Sequence, residues 1–484
     1  MKLENKINLI FLFLLFLIYS LITVLCINHG YFWDNIQQTS KEAHWFYLTN
    51  FHKLLMPVLS TQNGIVATGY HPPLIGIMTA ALWKVFGYKI WVSHVFIFIW
   101  ALVLIFNSWK IIRSLFPNKF AGFILLIVLL EPTLLAQFAI ASPDFILFTA
   151  FIISLRAVLE KRPWMLIIGL FFLCCINMRG IFVGVILFLV DYYFSNLHIE
   201  KRFTLRSILK TFLPYLPTLL ILTAYFCYYF YNRGWFFTGS SETGHYSLPN
   251  GMGRVIRHFA EYGLRSVENG RILIWIIGIY VGFKFFKSRL LLNHIERSLL
   301  LFFLLLSGLY IVFIFITQMP FSARYFMPQF FLLTILTLLG IIKFVEQRKI
   351  IFVFILILCF ELTGHLWIYP DIIAKSWDCT LAHLPYYDLR EKCFNYIDEQ
   401  KLDYHQISSG FCLYGNRGFV ELKNDGKSIG TDEQSKYFIF SNISNVEDSF
   451  ADELKNKNHW IPVKRFEKGL VYITIFKNTQ YNKK

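Results

Sequence analysis

Two aspartates in this chain stand without a charged neighbour at the edges of apolar runs: Asp34, in Trp33-Asp34-Asn35, and Asp144, in Ser142-Pro143-Asp144. Isolated carboxylates in such positions suggest chemistry done at a membrane surface, where a carboxylate can serve as a general base. Arg179 and Arg324 sit at comparable edges, and an arginine held near membrane depth demands a partner. His71, in His71-Pro72-Pro73-Leu74, is a further polar group at the start of an apolar run. Each also has a plainer reading. Asp34 and Asp144 can cap helices, and Ser-Pro-Asp is itself a helix start. Arg324 can snorkel to the interface, and His71 can be a satisfied structural histidine beside a Pro-Pro turn.

The elements that must position these residues are membrane helices. Of 484 residues, 56% are hydrophobic, 19% aromatic and only 16% charged, far from a soluble globular average. The formal charge of +16 sits in short loops between apolar runs, so topology accounts for it better than nucleic acid does. The first apolar run, Leu9 to Ile27, has no small-residue cleavage site and reads as a retained anchor. The eight cysteines show no metal-ligand spacing. Cys379, Cys393 and Cys412 leave room for one disulfide and at least one free thiol, whereas the other five lie in or beside apolar spans as small fillers.

A helix crossing about 30 Å of hydrocarbon needs roughly 20 residues. About eleven spans follow, near 8–27, 90–109, 120–138, 145–159, 164–178, 180–194, 211–231, 271–287, 298–317, 325–342 and 350–369. Leu74 to Phe86, only about 20 Å long and starting at Pro72-Pro73, decides the orientation of everything after it. If it stays on the outer face, every basic cluster falls in the cytoplasm, among them Lys201 with Arg202 and Lys287 with Arg289. If it crosses, the later clusters move outside, against the positive-inside rule.

The expected fold is therefore an all-α polytopic membrane protein of about eleven transmembrane helices with its N-terminus in the cytoplasm. Residues 1–370 form the transmembrane part, with an outer loop 28–73 and an interfacial helix 74–86. Residues 371–484 turn polar, alternate at Tyr437 to Phe440 and Leu470 to Phe476, and read as helical at Tyr387 to Gln400 and Val446 to Asn456. They are expected to form a small extracytoplasmic α/β domain. Trp164 to Phe194 is expected to make two short helices whose apex, Arg179-Gly180, lies below the outer surface and faces a cavity.

This topology gathers Asp34, His44, His71, Asp144, Arg179, the loop 232–270 and Gln318 to Arg324 on the outer side. The loop holds Arg233, Arg254, Arg257 and Arg265 and no lysine. Arginine presents a planar fork that matches phosphate oxygens, so an arginine-only outer loop suggests a bound phosphate. Arg254 and Arg257 share a helix face; an anionic lipid surface is the more usual partner of such charges. Trp33, Trp45, Tyr70 and Trp235 are placed to stack on a sugar or to form an interfacial aromatic belt.

Taken in order, Trp33-Asp34, His71-Pro72-Pro73-Leu74, Ser142-Pro143-Asp144 and Ala323-Arg324-Tyr325 resemble the motifs of GT-C class membrane glycosyltransferases. The likeness is to the family 39-like group of protein O-mannosyltransferases and lipid A aminoarabinose transferases. The resemblance implies transfer of a sugar from a polyprenyl-phosphate donor to an envelope acceptor at the outer face of a bacterial cytoplasmic membrane, usually with inversion. It makes Asp34 the base for the acceptor hydroxyl, with Asp144 beside it to orient the acceptor or a cation. The departing phosphate then needs fixed positive charge, assigned to Arg179 and Arg324, with His71, Arg254 and Arg257 as further contacts. A divalent metal is compatible with this chemistry, but no metal ligand set is assigned. Where the family often has Asp-Glu, this chain has Asp34-Asn35, so any grip of a second carboxylate on the acceptor is absent or made by an amide. Two other classes of function compete. A transporter or flippase would concentrate polar residues at mid-membrane and show paired repeats, whereas here they crowd one edge; a non-catalytic membrane scaffold would need none of this chemistry.

Overall fold

The computed structural model describes residues 2–56, 71–197, 204–234, 248–249, 251–288, 292–317, 321–367, 376–423, 425–456 and 459–481. Tyr70, Lys201, Arg202, Trp235, Arg289 and Gln318, all invoked from the sequence, lie outside the described residues, as does the boundary expected at 370/371.

The chain opens with α1 (Lys2–Cys26), a π-helical turn (Ile36–Lys41), α2 (Glu42–Leu48) and α3 (Leu74–Phe86). The bundle continues through α4 (Ile90–Leu115), α5 (Asn118–Leu129), α6 (Pro132–Ala139), α7 (Pro143–Leu159), α8 (Pro163–Ile176) and α9 (Met178–Tyr192). It closes with α10 (Leu205–Phe212), α11 (Leu216–Arg233), α12 (Met252–Val267), α13 (Ile272–Ser288), α14 (His294–Ile316), α15 (Met327–Phe344) and α16 (Gln347–Thr363). Among the described residues, seven helices are long and apolar enough to cross a membrane. Two pairs bent by 60° (α5 with α6) and 93° (α12 with α13) raise the number to nine. The other two expected spans, α7 and α8, are shorter. Pro143 to Val158 of α7 are all buried in the bundle, so that helix is core for its neighbours rather than a lipid-facing wall.

Local sequence sets the helix ends. Proline stands at the first position of α6, α7 and α8, where its missing N–H is not needed and its fixed φ suits the helix. Glu131 caps α6 by accepting from the Leu134 N–H at 2.8 Å, and Ser142 caps α7 by accepting from the Asp144 N–H at 3.1 Å. Asn177 alone separates α8 from α9, and its side chain accepts from the Arg179 N–H at 3.0 Å. The two helices then fold back on each other as the sequence predicts. A Cβ on Gly180 would sit 1.6 Å from the Leu173 carbonyl oxygen, so only glycine permits this corner.

After the bundle come α17 (Pro385–Glu399), α18 (Arg417–Val420) and α19 (Asp448–Asn456) with six strands: β1 (Ile407–Ser409), β2 (Gly415–Asn416), β3 (Ser428–Ile429), β4 (Tyr437–Ser441), β5 (Trp460–Lys468) and β6 (Val471–Asn478). The main sheet has order β1-β4-β6-β5, with β1 parallel to β4 and the other pairs antiparallel; β2 and β3 form a separate ribbon. Cys379, Cys393 and Cys412 are all free, buried thiols. The polar end of the chain does not stand apart from its start. One apolar cluster joins Tyr31, Phe32, Phe46 and Trp83 to Trp377, Tyr386, Leu389 and Ile439. The Tyr31 N–H donates to the Val420 carbonyl at 2.8 Å, and a Cβ on Gly30 would lie 2.6 Å from that oxygen.

Candidate active site

The two aspartates that look isolated in sequence meet in space. Each follows a residue forced into left-handed backbone, Trp33 at φ 54° before Asp34 and Ala141 at φ 53° three residues before Asp144. Such conformations cost a non-glycine residue about 1 kcal/mol or more, and they persist where surrounding structure holds them. Asn35 supplies part of that hold: its side-chain amide, in a residue only 2% exposed, donates to the Ile140 carbonyl at 2.8 Å. It thereby pins the Asp34 loop to the turn that leads into Asp144.

Arg324 lies at the centre. It sits in the 3₁₀ turn Ala323–Phe326 that opens α15. Its Nη1 donates to Asp378 Oδ2 at 2.7 Å, its Nε lies 3.3 Å from Asp144 Oδ2, and its Nη2 donates to Asp34. Arg179 completes the group, its Nη2 donating to Asp144 Oδ1 at 2.6 Å while its guanidinium lies over the Tyr325 ring, 4.0 Å from the centroid. Because Ser142 caps α7, the Asp144 carboxylate is released from capping to serve this pair of arginines. Arg324, with its side chain 5% exposed, is no snorkelling residue.

The groups differ in their access to solvent. Asp144 and Asp378 have side chains 5% and 3% exposed, but that of Asp34 is 38% exposed and that of Arg179 is 26%. The open face of the cluster therefore presents one carboxylate and one guanidinium. Three carboxylates against two guanidiniums leave one surplus negative charge if all are ionised. Burial pushes the Asp378 carboxyl above its usual range, with Arg324 opposing. A proton there would make the five groups neutral together.

Asp378 is the member that sequence reasoning missed. It lies in the turn Trp377–Cys379, beyond the last expected span, and the signal available was a second Trp-Asp pair, Trp377-Asp378, matching Trp33-Asp34. The end of the chain also overhangs Asp34. Trp33 packs edge-on against Phe411 with centroids 5.3 Å apart. Burial raises the Tyr414 hydroxyl, with smaller contributions from Cys412 and from the nearby charge of Asp34.

His71 is close by, its Nδ1 accepting from the Met178 N–H at 3.5 Å. Burial and then the charge of Arg179 lower its pKa to about 3, so at neutral pH it is an uncharged imidazole beside the arginine. Just beyond it an apolar groove of about 350 Å³ runs between the start of α3, α8 and α11, lined by Pro72, Pro73, Phe171, Cys175, Tyr225 and Tyr228. Arg254 and Arg257 are not among the ion pairs that build the cluster; Arg257 pairs with Glu261 on its own helix at 3.2 Å. His44 is engaged elsewhere, with Ser40, Tyr88 and the Phe419 ring. Among the described residues no group of three or more His, Cys, Asp or Glu side chains has the geometry to hold a metal ion.

The arrangement of bent helices, a broken helix pair carrying an arginine and a small sheet packed against the first loop has a counterpart among solved structures. In particular, the chain matches the crystal structure of ArnT from Cupriavidus metallidurans bound to undecaprenyl phosphate, with a TM-score of 0.53 over 96% of this chain and 97% of that one. The two are 12% identical, so the likeness is one of fold. No family model matches the chain, and no curated protein matches it by sequence.

Proposed function

We propose that this integral membrane protein transfers a sugar from a polyprenyl-phosphate donor to an envelope acceptor. The site opens at the outer face of a bacterial cytoplasmic membrane, an orientation supported by the basic loops between spans. The carrying observation is the exposure pattern of the cluster: Asp34 and Arg179 are its two open members, and both bear on the buried Asp144 and Arg324. Asp34 is the general base. Arg324 takes its Oδ2, and no described residue bonds its Oδ1, which is left for the acceptor hydroxyl. Arg179 is the phosphate contact, since a phosphate can approach its exposed edge while Asp144 and the Tyr325 ring fix the guanidinium. His71 contributes as a neutral hydrogen-bonding group, and the apolar groove beside it fits the isoprenoid chain of the carrier. Trp33, Phe411 and Tyr414 form the wall on which the acceptor rests.

The protein purified in detergent is to be offered a panel of polyprenyl-phosphate sugars with envelope extracts, with release of polyprenyl phosphate as the readout. Wild type is expected to release it, and Arg179→Gln to raise the donor KM by about 10- to 100-fold, the worth of one charge-assisted hydrogen bond. Absence of release from every donor, together with no binding of polyprenyl phosphate, sinks the reading.

A further inference from the structure

Arg265, read from the sequence as one of the arginines of a phosphate-binding loop, has its Nε and Nη1 engaged inside the protein. The residue is 8% exposed. Its Nε donates to the Phe321 carbonyl at 3.1 Å, and its Nη1 donates to Glu268 Oε2 at 3.0 Å and to the Ser376 hydroxyl. Ser376 in turn donates to Glu268 Oε1 at 3.1 Å, and Glu268 is 0% exposed. A second arginine steadies the first: Arg271, paired with Glu131, donates from Nη2 to the Arg265 carbonyl at 3.3 Å.

The two segments that Arg265 grips are those that deliver the centre of the candidate site. Phe321 stands three residues before Arg324, and Ser376 stands two before Asp378. Arg324 and Asp378 belong to stretches 54 residues apart in sequence, and they meet at 2.7 Å. We propose that Arg265 and Glu268 are positioning residues: the corner between α12 and α13 clamps both segments and sets the register in which Arg324 meets Asp378 and, through it, holds Asp34. Only a guanidinium suits this task, because its donors in one plane reach a carbonyl on one side and a carboxylate and hydroxyl on the other. The clamp touches no reacting atom. Its link to catalysis rests on the function proposed above, whereas its link to local structure does not.

Cys379 reports the clamp directly. It adjoins Asp378, is 0% exposed, and its Sγ lies 3.5 Å from the Ser322 hydroxyl of the other segment. Maleimide labelling of the full-length protein, read residue by residue by mass spectrometry, compares Cys379 with Cys26 and Cys174, which are buried in the bundle. Arg265→Gln is expected to raise Cys379 labelling by about tenfold or more through local opening, with Cys26 and Cys174 still protected. Glu268→Ala should do the same, and Glu268→Gln, which keeps an acceptor for Ser376 and Arg265, should restore protection. Labelling of Cys379 unchanged from wild type, or opening of all three thiols together, overturns the proposal. With a donor that wild type turns over, Arg265→Gln is expected to lower kcat and leave the donor KM unchanged; a raised KM at unchanged kcat makes Arg265 a donor contact and contradicts the clamp. If wild type neither turns over any donor nor binds polyprenyl phosphate, the proposed function fails and the labelling result still decides the clamp.

Discussion

Arg324 and Asp34 are joined by an ion pair across 290 residues of sequence. The same guanidinium reaches Asp144 and Asp378, so one buried cation holds three carboxylates within a few ångströms. Removing it leaves those charges to repel one another in a poorly solvated place, a change that costs about 3–5 kcal/mol for a buried pair. Arg324→Gln is therefore expected to lower the thermal unfolding midpoint in detergent strongly. Arg324→Lys keeps the charge without the fork and should fall between. Adding Asp378→Asn to Arg324→Gln should recover part of the loss by removing one carboxylate, and a double variant no more stable than the single one contradicts the picture.

Asn35 replaces the second acidic residue that the resembling family often carries, and the structure gives it a different job. Its amide donates to the Ile140 carbonyl in a buried setting. Asn35→Glu sets a carboxylate against that carbonyl with no donor between them, at an expected cost of about 3 kcal/mol, and Asn35→Ala costs about 1 kcal/mol. Chemical denaturation of both variants tests the order. Finding Asn35→Glu as stable as wild type removes the positioning role of Asn35.

Much of this arrangement is legible in the sequence because membrane helices are long and apolar, and because charge in short loops orders them. The bounds of α3 and the return of α9 on α8 follow from proline and glycine placed where such turns need them, although the break falls at Asn177, two residues before the expected apex at Arg179-Gly180. Asp34, Asp144, Arg179 and Arg324 stand out as charges at the edges of apolar runs, where charge is costly. Asp378 does not stand out, because it lies in polar sequence where an aspartate is unremarkable, and only tertiary packing buries it. Arg254 and Arg265 look alike in one loop for the same reason. What separates them is which one faces Glu268 and Ser376, a matter of helix rotation that local composition does not encode.

Three histidines outside the spans, His29, His71 and His383, are held neutral by burial, which lowers them to about 4, 3 and 4. Two of them pack on aromatic rings, His29 on Tyr387 at 3.9 Å and His383 on Phe32 at 4.8 Å. In the unfolded chain each titrates near 6.5. Between that value and about 4 the unfolded chain binds protons that the folded protein refuses, so stability is full above about 6.5 and falls as pH drops. The slope is about 1.4 kcal/mol per pH unit for each histidine. Thermal midpoints measured from pH 8 to 4.5 should be flat above 7 and fall below 6, less steeply in His29→Phe. A midpoint constant to pH 4.5 contradicts this origin.

In the proposed reaction Asp34 accepts the proton of the acceptor hydroxyl. The most direct measurement compares release of polyprenyl phosphate by wild type and Asp34→Asn with the same donor and acceptor. The substitution keeps an oxygen to accept from Arg324 and so leaves the ion cluster largely assembled. General-base catalysis is worth about 10²- to 10⁴-fold, so turnover should fall by about 100-fold or more with donor binding retained. Equal turnover by Asp34→Asn and wild type would contradict the account.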